Sequence, residues 1–138
     1  MDKNPSVVFV CVGNGGKSQM AAALARKAAG DRLDILSAGT RPGTNLNALS
    51  QKTVEEVGAN FDGEFPKQLT DEMIRESDRI IIIGNEAQVE PLESMRGSIE
   101  RWDTDEPSTR GIEGEERMRL IRDDIQQRVD GLVKELLD

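Results

Sequence analysis

Apolar residues along this chain recur in two rhythms. Unbroken apolar runs at 6–11 (SVVFVC) and 79–84 (RIIIIG), with shorter mixed stretches at 33–37 (LDILS) and 98–102 (SIERW), predict four strands. Four consecutive isoleucines in the 79–84 run are the signature of a strand buried on both faces, at home in the middle of a parallel sheet. Between the strands the spacing changes to that of helices. Residues from Ser18 to about Ala29 are rich in helix formers, with Met20, Ala21, Leu24 and Ala28 on one packing face and Gly30 as the stop. A second helix is predicted over 47–57, with Leu49, Thr53, Val54 and Val57 inward and Gly58 ending it. Thr70 and Asp71 open a short helix through Ser77 that turns Met73 and Ile74 to the core. Residues 59–70 read as an irregular connection, and 85–95 as a loop containing a short helix. Met118, Ile121, Ile125, Val129, Leu132 and Leu136 mark one long amphipathic final helix, with Arg119, Arg122, Asp123 and Asp124 expected on a solvated charged face. Strands alternating with helices imply an α/β fold, a four-stranded parallel sheet with helices on both faces and right-handed crossovers. Ligands of such sheets bind beyond the carboxyl ends of the strands.

At 138 residues, with no linker, repeat or low-complexity segment, the chain is expected to form one domain over residues 1–138. Residues 1–5 read as a short polar lead. The formal charge is −8, with no histidine and no basic run, which argues against nucleic acid and anionic membranes as partners. No stretch approaches the roughly 20 apolar residues that span a bilayer, and there is no signal-peptide pattern, so a cytoplasmic protein is expected. A single cysteine excludes an internal disulfide and, without histidine, an ordinary Cys/His zinc cluster, so no metal and no bound cofactor are expected.

That cysteine, Cys11, ends the first apolar run and enters a glycine-rich loop, VVFVCVGNGGKS over 7–18. Gly13, Gly15 and Gly16 are expected to allow positive φ and close backbone approach to a ligand. Backbone N–H groups would converge there on an anion at a helix N-terminus, with Lys17 adding charge. The same environment favours a thiolate, so Cys11 is expected to act as a nucleophile. Three readings of this loop stand side by side. Cys11 can be a small buried hydrophobe at a strand end. Gly16, Lys17 and Ser18 match the end of the nucleotide loop G-x-x-x-x-G-K-[ST], although the third strand ends in glycine where a Mg²⁺-binding Asp belongs. The third is a thiol loop of form C-x5-R-[ST], with Lys17 in the arginine's place.

The sequence FVCVGNGGKSQMAAALA, with SAGT at 37–40 and an acidic pair before Pro107, resembles the low-molecular-weight tyrosine phosphatase and arsenate reductase superfamily nearly end to end. Its RW-x-TDEPS and GIEG-x-ERMRL-x-RDDI segments are most similar to actinobacterial arsenate reductases that use mycothiol. The resemblance implies that Cys11 is the nucleophile and that Val12, Gly13, Asn14, Gly15, Gly16 and Lys17 form the oxyanion cradle. It also implies that Asn14 braces the loop and Ser18 hydrogen-bonds the thiolate. Asp105 or Glu106 would be the general acid. The superfamily's Asp-Pro step corresponds to Glu106-Pro107, yet Asp105 is favoured as the shorter, more easily oriented carboxyl. Lys17 is the departure: lysine supplies charge without a planar fork, which argues against efficient phosphatase action. Arg41 lies where it can approach the anion, though a turn position in solvent is the more ordinary reading.

What the resemblance implies is an arsenate-mycothiol transferase, with arsenate as substrate, mycothiol as co-substrate and a mycoredoxin completing the reduction. The alternatives are a phosphatase working through a Cys11 phosphoenzyme and a non-catalytic oxyanion-binding module. Reduction of arsenate takes two electrons, which a chain with one thiol cannot supply by closing its own disulfide. Relatives coupled to thioredoxin carry resolving cysteines after the third strand, and residues 84–91 (GNEAQVEP) contain none.

Overall fold

The computed structural model describes residues 4–138, so residues 1–3 of the expected polar lead lie outside the described residues. The elements run β1 (Ser6–Cys11), α1 (Lys17–Ala29), β2 (Asp34–Gly39), α2 (Ala48–Glu55), α3 (Asp71–Glu76), β3 (Arg79–Ile83), β4 (Ser98–Trp102) and α4 (Gly114–Leu137). All strand pairs are parallel, in the order β2-β1-β3-β4. This is the expected α/β fold, and the isoleucine strand β3 is interior. From β1 the chain first crosses to β2 on one side and later places β3 on the other. The carboxyl ends of β1 and β3 therefore flank the point where the winding reverses, the usual position of a ligand crevice.

Alternation along β1 divides the core. Val7 and Phe9 point to a face covered by α1, α2 and α4, where Phe9 meets Trp102 at 5.9 Å between ring centroids. Val8 and Val10 point to the opposite face with Ile80 and Ala38. There α3 contributes Ile74, and Leu69, Met73, Val89, Leu92 and Met95 pack around it. Residues 85–95, expected to include a short helix, form none. Pro91 biases Glu90 away from the helical region and splits the segment into pieces too short to nucleate one.

Helix α1 is buried all round from Ser18 to Ala25, because it lies against the sheet with α2 and α4 packed on it. Its run of alanines suits that crowding, since small side chains let neighbouring backbones come close. Ala28, placed on the core face by spacing, is exposed; burial resumes one position later at Ala29, a full turn from Ala25. Strand β2 is longer than expected, reaching Gly39, because its register pairs each residue of β1 from Ser6 to Cys11. Asn47 is not the first residue of α2 but its cap, accepting the Ser50 N–H at 2.8 Å. No helix among the described residues is long and apolar enough to cross a membrane.

Candidate active site

Cys11 closes β1, and its Sγ is met from two directions: the Asn14 N–H donates to it at 3.3 Å, and Ser18 Oγ lies 2.9 Å away. The surroundings of Ser18 suit it to act as the donor to a thiolate. Lys67 N–H donates to Asn14 Oδ1 at 2.9 Å, which orients the amide so that Asn14 Nδ2 donates to Ser18 Oγ at 2.8 Å. With one lone pair so engaged, Ser18 can turn its own hydrogen to the sulfur. Such a donor is worth most to a thiolate.

Asn14 also sets the shape of the loop. The left-handed residue here is Asn14, with φ 54°, and Gly13, Gly15 and Gly16 do not take the positive φ expected of them. Asparagine tolerates that region, and burial of the whole side chain repays its choice over glycine with a hydrogen-bonded brace. Gln19, fully buried on α1, holds the same residue through bonds from Nε2 to Asn14 O at 3.1 Å and to Phe65 O at 3.2 Å. Close approach, the other expectation for the glycines, is present at Gly15, where a Cβ would sit 2.9 Å from Asn45 O. Gly39 is tighter still: a Cβ there would lie 2.6 Å from Val12 O and 3.0 Å from Asn14 Cβ.

The loop delivers the chain into α1, whose cap Gly16 has no side-chain hydrogen bond and whose first turn carries no acid. The first N–H groups of α1 are therefore uncapped by any side chain and favour an anion at that end. Lys17 reaches past Gly84, whose φ of 89° ends β3 in a turn that a side chain would strain. Cys11, Val12, Lys17, Ile83, Gly84, Asn85, Glu86, Ala87, Glu106 and Arg117 line a cavity of about 240 Å³. Arg101, donating to Gly84 O at 2.7 Å and Ala87 O at 2.8 Å, fixes the wall contributed by the segment after β3.

The two candidate acids part here. Glu106 faces the cavity, with Oε1 3.6 Å from Lys17 Nζ. Arg117 grips it by both nitrogens of its fork, Nε to Oε2 at 2.8 Å and Nη2 to Oε1 at 2.9 Å, and Ser108 adds a hydroxyl bond of 2.8 Å. The Arg117 hydrogen bonds, with those of Ser108, hold the Glu106 carboxyl down at about 2, well below the usual range. Asp105, the favoured candidate, is outside the cavity lining. Its side chain turns to Arg110, bonded at 2.8 and 3.1 Å, and that guanidinium lowers its pKa. Helix α4 fixes this divergence, because Asp124 accepts the Asp105 N–H at 2.7 Å and Arg128 donates to Asp103 O at 3.0 Å. Consecutive residues on this extended loop thus present opposite sides, and the helix dictates which faces inward.

Arg41 is exposed and joins the loop only through its backbone, donating to Val12 O at 2.9 Å. The residues that spacing alone did not single out are Arg117, Gln19 and Lys67. Lys67 reaches the loop from distant sequence, Gln19 reaches back to it from the first turn of α1, and Arg117 meets Glu106 from α4; an arginine on the polar side of a helix carries no mark of what it faces.

Residues 6–138 match the sequence model described as low molecular weight phosphotyrosine protein phosphatase. The chain is 30% identical over 128 residues to an arsenate reductase of Halalkalibacterium halodurans, covering 89% of this chain and 91% of that protein. It is 29% identical over 132 residues to an arsenate reductase of Bacillus subtilis, covering 92% and 94%. Among solved structures, a thioredoxin-dependent arsenate reductase of Corynebacterium glutamicum superposes with a TM-score of 0.81 at 32% identity, over 98% of this chain. The chain spans 63% of that structure's length. A tyrosine phosphatase of Erwinia amylovora shares the fold at a TM-score of 0.79 and 18% identity, over 99% and 95% of the two chains.

Proposed function

Because the chain belongs to the low molecular weight phosphotyrosine protein phosphatase family, we propose that it is a cytoplasmic arsenate reductase in which Cys11 attacks arsenate held by the 12–17 backbone, Lys17 and the α1 terminus. The observation that carries this reading is the Cys11 loop itself, one cysteine bonded by Ser18 and Asn14 in a chain about 30% identical to arsenate reductases. In the first step the Cys11 thiolate forms a bond to arsenic and an arsenate oxygen leaves as water, with arsenic still pentavalent. Protonation of that oxygen falls to Glu106, the cavity carboxyl that precedes Pro107 and lies 3.6 Å from Lys17.

The electrons come from outside. With one cysteine, no internal disulfide can form for thioredoxin to reduce, so a low-molecular-weight thiol, mycothiol in this proposal, takes arsenic from Cys11 as an arseno-thiol adduct. A mycoredoxin thiolate then attacks the sulfur of that adduct. The sulfur–sulfur bond forms as the sulfur–arsenic bond breaks, its electron pair stays on arsenic, and arsenite departs.

The test is arsenate turnover with mycothiol and mycoredoxin, beside thioredoxin with its reductase and beside an aryl phosphate. Turnover in the first arm alone is expected, and Cys11→Ser abolishes it while leaving the fold intact. Sustained turnover with thioredoxin and no small thiol overturns the choice of donor. Aryl phosphate hydrolysis without arsenate reduction overturns the reaction in favour of phosphatase chemistry.

A further inference from the structure

Loop position 17 carries lysine, a point charge, where the thiol-loop pattern carries a guanidinium that can hold two oxygens of one anion. A guanidinium nevertheless lines the same cavity. Arg117 comes from the first turn of α4, and it lines the space shared by Cys11, Lys17 and Glu106, with its fork on the Glu106 carboxylate. Its side chain is only 29% exposed, and Glu106 Oε1 and Oε2 engage two of its nitrogens. The same carboxylate leans on Lys17 at 3.6 Å. Glu106 therefore offers the two cations a planar pair of oxygens, the pattern that two oxygens of a tetrahedral anion also present.

We propose that Arg117 is an oxyanion-binding residue, supplied by α4 in place of an arginine at position 17, and that a bound dianion draws its fork away from Glu106. Charge makes the exchange favourable. Lys17 and Arg117 are opposed in the cavity by Glu106 and Glu86, so an incoming dianion meets a balanced site unless one carboxylate gives way. Glu106 is faced by Lys17 from α1, Arg117 from α4 and Ser108 from the turn after β4. Asp105 stands beside it, and Glu113 adds its charge to the field at Arg117. Once Arg117 moves to the dianion, Glu106 is left beside a stronger negative charge with its largest stabilising partner gone, and it takes up a proton. That protonated form is the one a general acid needs, and in this respect the inference rests on the proposed reductase reading. Oxyanion binding by Arg117 does not.

The experiment uses sulfate, which stays a dianion near neutral pH, and the Cys11→Ser protein, in which no thiol titrates. Calorimetric titration near pH 6.5 in buffers of different ionisation enthalpy reads both affinity and proton uptake. The expected result is binding with uptake approaching one proton, and loss of that uptake in Glu106→Gln. Arg117→Gln, placed on the Glu106→Gln background where there is no carboxylate left to position, should weaken sulfate by about tenfold or more, with Arg117→Lys intermediate. Equal affinity with and without Arg117 on that background would show a residue that only positions Glu106, and would overturn the proposal. Uptake unchanged by Glu106→Gln would overturn the exchange. Circular dichroism of each variant shows that the fold is retained, and Arg117→Lys serves if the glutamine variant does not fold. Sulfate binding involves no reduction, so a protein that fails to reduce arsenate leaves this result standing, and the reverse holds as well.

Discussion

Asp105 and Glu106 are neighbours of the same charge, yet the structure gives them different work. Asp105 is spent on Arg110 at the surface, and Glu106 stands over the thiol loop. Glu106→Gln is therefore expected to lower the arsenate turnover number by about 10²- to 10⁴-fold, the usual loss for a general acid. Its KM should fall as well, because a negative charge leaves the oxyanion cavity. Asp105→Asn should stay within about tenfold in turnover. Steady-state kinetics on both variants would show it, and the reverse ranking would return the role to Asp105. The sequence made the pair visible through Pro107 and leaned towards Asp105 on side-chain length, whereas the member that lines the cavity is Glu106. What decided the matter was the partner each carboxylate finds, Arg110 five residues on and Arg117 eleven, and neither partnership has a local signature. Asn14 teaches the same lesson in the loop. A glycine-rich run suggests that glycine takes the left-handed position, whereas a side chain that can brace Ser18 and receive Lys67 N–H occupies it.

Among the elements, α4 shows the widest gap between pattern and role. Its apolar period set its length and its packing face correctly, and Met118, Ile121, Ile125, Val129 and Leu132 are buried as expected. Its charged side was expected to be solvent-facing, but Arg122 is only 11% exposed in its side chain and binds Thr53 O at 3.0 Å. Arg119 and Arg122 share Glu56 at the end of α2, Lys52 pairs with Glu115, and Asp124 and Arg128 hold the loop bearing Glu106. The charges of a polar stripe look alike in sequence, and only the neighbouring element tells a solvated one from a clasp. Hydrogen bonds from Arg119 depress Glu56 to about 2 from an ordinary 4.5. A depressed carboxylate stabilises the fold above its unfolded pKa and loses that contribution as pH falls through the folded value. The expected signature is a thermal midpoint that declines between about pH 4.5 and 2, with Glu56→Gln showing a shallower decline over that window. Because the clasp lies at the surface, added salt should shrink the difference between the two proteins.

At the scale of the whole molecule, the alternation of strands and helices was enough to read a parallel sheet, a central isoleucine strand and a site at the strands' carboxyl ends. What remained hidden was how the irregular connection over 59–70 closes on that site. Lys67 N–H reaches Asn14, Phe65 O receives Gln19, and Gly39 bridges Gln68, contacts that join residues from 29 to 53 positions apart. The brace on Asn14 therefore exists only while the entire chain is folded. Asn14 is followed by Gly15, and an asparagine before glycine is the pairing most prone to lose its amide, because the next backbone nitrogen can close on the side chain unhindered. In the native protein the amide is tied at both ends and the backbone is fixed, so ring closure is blocked. Protein held in denaturant at mildly alkaline pH should accumulate the amide-to-acid mass change in its 11–18 peptide, while native protein kept alongside should not. The refolded material should lose oxyanion binding in step, since an aspartate there puts a negative charge beneath the cradle and takes away the donor to Ser18. Each episode of unfolding thus ages the molecule at its own centre, and its working lifetime is counted in time spent unfolded.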